Sequence, residues 1–159
     1  MRRITIVSLF VFVLATMTAG TLWADSPSFH YANASASGLQ LSVSFKESGL
    51  GTTATGTAQI AVNADGTAVY QCFNNGGNHP KAGNKETVSG PVTNSGDFPI
   101  RNGQVTGTIT VSLPGPGSFT CPSGQHLVLE SGTFSNITIT DLTEADGPVS
   151  TTPDTITVP

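Results

Sequence analysis

The residues of this 159-residue chain with types suited to chemistry are three histidines, two cysteines and ten carboxylates. His30, His79 and His126 are widely separated, and no H-x-x-x-H pair offers two imidazoles to one metal ion. Cys72 and Cys121 make no C-x-x-C redox pair, and two distant cysteines alone do not build a zinc centre. A serine hydrolase of the nucleophile-elbow type needs G-x-S-x-G, which is absent. Gly117-Ser118-Phe119 lacks the rest of the elbow and sits among prolines and glycines that disfavour a strand-to-helix turn. Glu47 with Glu86 or Glu130 has the residue types of a general acid/base pair, but nothing in their spacing brings them together. They read as solvated surface charge. The expectation is a chain with no catalytic residues, no cofactor and no metal.

One stretch offers recognition without catalysis. Tyr70-Gln71-Cys72-Phe73 begins as a strand and then breaks into a loop of Asn, Gly and Pro that ends at Asn84-Lys85. Asn74, Asn75, Asn78, His79 and Asn84 form a candidate binding loop, with amides and free backbone suited to a sugar, a peptide or a calcium ion. The loop holds no carboxylate and lacks EF-hand spacing, so calcium there would need charge from elsewhere. The competing reading is purely structural: Asn and Gly accept left-handed turn conformations, and Asn amides cap neighbouring backbone.

These residues must be positioned by an exported fold. Met1-Arg2-Arg3 followed by an apolar run from Ile4 to Ala15 and small residues up to Ala24 has the order of a secretory signal peptide. The run is shorter than the roughly 20 residues a membrane span needs. Cleavage after Ala24 is expected, giving a signal peptide over 1–24, a secreted domain over 25–146 and a Pro/Thr-rich tail over 147–159. With Arg2 and Arg3 gone, four cations face ten acids, a formal charge of −6. So acidic a chain suits neither nucleic acid nor, after cleavage, an anionic membrane. An even pair of cysteines in an exported chain reads as a disulfide, Cys72 to Cys121.

Periodicity supplies the elements. Leu39 to Lys46 alternates apolar and polar residues throughout, the signature of a half-buried strand with Leu39, Leu41, Val43 and Phe45 on one face. A turn is expected at Glu47-Ser48-Gly49. Ala54 to Asn63 predicts a second strand, Ala64-Asp65-Gly66 a hairpin turn, and Thr67 to Phe73 its return. Pro91 places the strand Glu86–Val92 at an edge or bulge. Asn102-Gly103 is the strongest hairpin signal, between Phe98–Arg101 and Gln104–Leu113. Gln125–Glu130 and Thr133–Thr140 follow, broken at Ser131-Gly132, and Thr155–Val158 is a candidate terminal strand within the tail. Seven or eight short strands without crossover helices predict an all-β antiparallel sandwich, Ig-like or Greek-key, with one disulfide.

Phe45-Lys46-Glu47-Ser48-Gly49-Leu50, Tyr70-Gln71-Cys72-Phe73-Asn74-Asn75-Gly76-Gly77-Asn78 with Pro80, and Cys121-Pro122-Ser123-Gly124-Gln125 carry a resemblance. So does the closing strand Phe134 to Asp141. The chain resembles, over about Phe29 to Asp141, a group of uncharacterised small secreted bacterial proteins, chiefly actinobacterial. The resemblance implies export, a β fold and a cysteine pair, and it supplies no catalytic residue.

The leading expectation is a monomeric, non-catalytic extracellular binding module whose ligand is a protein, a glycan or a small molecule. A small-molecule carrier is the alternative, because the Thr/Ala/Gly-rich acidic composition is similar to that of the enediyne-binding apoproteins, although those have two disulfides. A carbohydrate-binding module comes next, weakened because Trp23 leaves with the leader and only Tyr31 and Tyr70 remain as tyrosines.

Overall fold

The computed structural model describes residues 26–51, 56–74, 76 and 84–159. They form a two-layer antiparallel sandwich of eight strands. These are β1 (Ser28–Ser37), β2 (Gln40–Ser48), β3 (Thr57–Asn74), β4 (Lys85–Pro99), β5 (Gln104–Ser112), β6 (Gln125–Asp141), β7 (Asp146–Ser150) and β8 (Ile156–Val158). One sheet has the order β1-β2-β5; the other runs β4-β3-β6-β7, with β8 also paired to β6. No helix among the described residues is long and apolar enough to cross a membrane. The expected signal peptide over 1–24 lies outside the described residues.

The alternation of β2 does what a period of two requires. Leu41, Val43 and Phe45 are fully buried against Ile60, Val62, Ile137 and Ile139 of the facing sheet, and Ser42, Ser44 and Lys46 lie on the outer side. The strand continues past the expected turn to Ser48, so Glu47 takes the next inward position.

Four expectations are corrected. Ala64-Asp65-Gly66 is not a hairpin turn: β3 runs through it, with Asp65 paired to Pro91 on one side and Ser135 on the other. Two ladders at once outweigh the local turn preference, and a bulge between Asn63 and Asp65 absorbs the irregularity. Gly66 lies so close to the Pro114 ring that a Cβ would stand 2.8 Å from it. Ser131-Gly132 likewise does not break β6, because β8 pairs across it. Residues 147–159 are no free tail: the candidate strand at Thr155–Val158 forms as β8, the unassigned β7 also extends the sheet, and Val158 is fully buried. Finally, β1 is a strand where none was assigned, its Ala32 and Ala34 being small enough to hide their apolar character from a pattern search.

Pro91 stands, as expected, on an edge strand, β4. Asn102 and Gly103 both have positive φ, 52° and 69°, the conformation of a two-residue primed turn. The turn closes only the Arg101–Gln104 bridge and then sends the chain from one sheet to the other, where β5 pairs with β2. Beside it, the Phe98 ring meets Phe45 edge-on at 5.0 Å and fills the space left by Gly107. On the opposite side the segment 151–154 stitches the sheets together. Ala34 N–H donates to the Thr152 carbonyl (3.1 Å) and Thr152 N–H to that of Ala32 (2.8 Å). Thr151 N–H donates to the Ile137 carbonyl (3.0 Å) and Ile137 N–H to that of Asp154 (3.1 Å).

Candidate functional site

The two ends of the β3–β6 ladder are chemically different, and each holds a candidate. At one end β3 finishes at Asn74 and β4 starts at Lys85, paired with Gln71, so the Asn-rich segment is the β3–β4 connection. Asn74 is exposed at the strand end. Asn84 closes the loop by donating from Nδ2 to Gln125 Oε1 at 3.0 Å. Asn75, Asn78 and His79 lie outside the described residues.

This end is held firmly. Cys72 and Cys121 form the expected disulfide, Cα–Cα 5.6 Å, with Cys72 fully buried. Cys121 lies in the connection between β5 and β6 rather than at a strand end, so the bridge pins that connection onto β3. Tyr70 helps by donating its hydroxyl to the Pro114 carbonyl at 2.7 Å. His126 stacks on Phe73, ring centroids 6.2 Å apart, and Lys85 Nζ pairs with Glu130 Oε2 at 3.0 Å. The structure thus gathers Asn74, Asn84, Gln125 and His126 around the mouth of one loop.

At the other end lies a group that sequence reasoning placed in solvent. Glu47 at the end of β2 and Asp141 at the end of β6 are both fully buried. Burial, first, and then the neighbouring Asp141, Asp146 and Glu144 push the Glu47 carboxyl up from 4.5 to about 8. Asp141 Oδ1 accepts the backbone N–H groups of Thr143 (2.7 Å) and Glu144 (3.3 Å), fixing the turn into β7. The period of two in β2, carried one step further, would have placed Glu47 inside. Its partner was not accessible to local pattern, because Asp141 reaches it from the other sheet. Glu86 and Glu130 lie toward the other end of the ladder, and neither pairs with Glu47.

A buried protonated carboxyl beside a carboxylate has the chemistry of a general acid, but neither Glu47 nor Asp141 exposes surface to a substrate. His30 contacts Ser48 Oγ at 2.5 Å, and among the described residues no carboxylate is hydrogen-bonded to His30 or His126. Among the described residues, no three His, Cys, Asp or Glu side chains stand as a metal-ligating set. The main surface depressions are open ones. One, of about 330 Å³, is lined by Asp65, Pro91, Thr93 and Asn136; another, of about 370 Å³, by Glu86, Ser118 and Phe119. No family model, curated protein or solved structure matches the chain.

Proposed function

We propose that this chain is an exported, monomeric, non-catalytic binding module that presents its 74–84 loop to a partner outside the cell. The observation that carries the reading is the anchoring of that loop. Both of its ends sit on a disulfide-clipped, hydrogen-bonded end of the sandwich, through Cys72–Cys121 and Asn84–Gln125. A loop anchored at both ends on a β scaffold is a common arrangement for recognition. The 1–24 segment and the disulfide favour export.

The carrier alternative asks for a deep apolar cleft, and the depressions described are open. A glycan platform asks for a row of flat aromatics, and Tyr31, at 42% exposure, is the large exposed aromatic among the described residues. A protein or peptide ligand is therefore favoured.

The test compares the protein with a variant whose residues 75–83 are replaced by Gly and Ser, both screened against peptide, glycan and small-metabolite libraries. The reading expects a ligand that binds the first and not the second, at equal thermal stability. Equal binding to both would refute the role of the loop. Turnover of an ester, glycoside or peptide substrate would refute the non-catalytic assignment.

A further inference from the structure

We propose that Glu47, Asp141 and Asp146 form a binding site for a divalent, oxygen-loving cation of the calcium class, clamping the two sheets together at the end opposite the disulfide.

The case begins with oxygen atoms that have nothing to bond. Both Glu47 Oε1 and Oε2, Asp141 Oδ2 and Asp146 Oδ2 are buried without a hydrogen-bond partner. Glu47 has no exposed surface at all, and Asp141, Asp146 and Glu144 are near enough to act on its charge. The ion pair found among the described residues joins Lys85 to Glu130, at the far end of the ladder. Carboxylate oxygens are seldom buried unpaired, because each forfeits its hydration. A single proton shared between Glu47 and Asp141 partners at most two of the four oxygens. A divalent cation can partner all of them.

The donor set selects the ion. The ligands are hard carboxylate oxygens with no imidazole or thiolate, which disfavours zinc. Calcium takes about 6–8 oxygens in an adaptable geometry, whereas magnesium keeps most of its waters and demands an octahedron. Three carboxylates provide a core of ligands, and backbone carbonyls of the turn between β6 and β7 and water can complete the shell. Asp141 and Asp146 are cross-strand partners at that turn, with Glu144 exposed between them. The three side chains do not yet stand as a closed set. The cation closes it by drawing in Asp146, a half-buried residue with one carboxylate oxygen already inside, next to the turn held at Asp141.

The experiment uses the purified protein freed of metal by chelation, titrated with CaCl2 by calorimetry and melted with and without it, with MgCl2 and NaCl at matched ionic strength as controls. Binding is expected at a Kd on the order of 10⁻⁴–10⁻³ M, the range of extracellular calcium modules. A ten-fold excess over Kd should raise the melting temperature by roughly 3–6 °C. Glu47→Gln has the shape of the protonated acid and should fold, yet lose the calcium shift. Asp146→Asn, which removes one ligand charge at the half-buried edge of the site, should weaken binding at least about ten-fold. No heat and no shift with calcium overturns the proposal. So does an equal shift with NaCl, or one that survives in both variants.

Discussion

Replacing Cys72 and Cys121 together by Ala tests how the fold is held. The bridge closes a span of 49 residues containing β4 and β5. Treated as lost chain entropy of the unfolded state, a loop of that length corresponds to about 14 cal/mol/K, or about 4 kcal/mol at room temperature. Ala rather than Ser is the right replacement at Cys72, which is fully buried and would otherwise bury an added hydroxyl. The assay is urea unfolding of both proteins without reductant. The variant should lose about 3–4 kcal/mol, and its m-value should rise because its unfolded chain is free to expand. Both changes must appear together if the bridge acts on the unfolded chain. A loss below about 1 kcal/mol with an unchanged m-value would show that the clip contributes little and that Tyr70 and the core alone seat the β5–β6 connection.

Gly107→Ala should cost about 1–3 kcal/mol by urea unfolding, since a Cβ there overlaps the Phe98 ring; a neutral result would mean that ring is free to move. In chelator, stability should fall as pH rises from about 4.5 to about 8, because the unfolded chain gives up the Glu47 proton that the folded chain, facing Asp141, Asp146 and Glu144, retains. The slope relative to Glu47→Gln should be on the order of 1 kcal/mol per pH unit, and parallel profiles for the two proteins would refute it. Intact-mass measurement of protein in culture medium should find a chain beginning near Asp25, whereas a full-length, cell-bound species contradicts export.

What could be seen in the sequence was what depends on neighbours along the chain. Leu41, Val43 and Phe45 declare their buried face because solvent occupies the other, and Asn102-Gly103 declares a primed turn because few residues tolerate two positive φ angles. The cysteine pair was legible because a chain expected to be exported, with two cysteines and no metal-ligand spacing, leaves a disulfide as the default. What failed depended on partners far away. Asp65-Gly66 has the chemistry of a turn and is kept extended by Pro91 and Ser135. The candidate strand at Thr155–Val158 was legible and forms as β8, but Asp146–Ser150 has too little apolar content to announce β7, whose place depends on β6. Glu47 failed for both reasons: its position was periodic, but its chemistry belonged to the opposite sheet.

The four backbone hydrogen bonds of the 151–154 segment make one flank of the sandwich a hinge and the other a mouth. Along the β1/β6 flank, the sheets cannot part without breaking main-chain bonds that no side-chain rearrangement can replace. Between β4 and β5 the described links are lighter: the Arg101–Gln104 turn and the Asn94 amide donating to the Thr110 carbonyl. Breathing of the sandwich is therefore lopsided, pivoting about Ala34 and Ile137 and gaping beside Phe98. In hydrogen exchange the amides of Ala34 and Ile137 should be among the slowest, and those along the outer edge of β4 among the fastest.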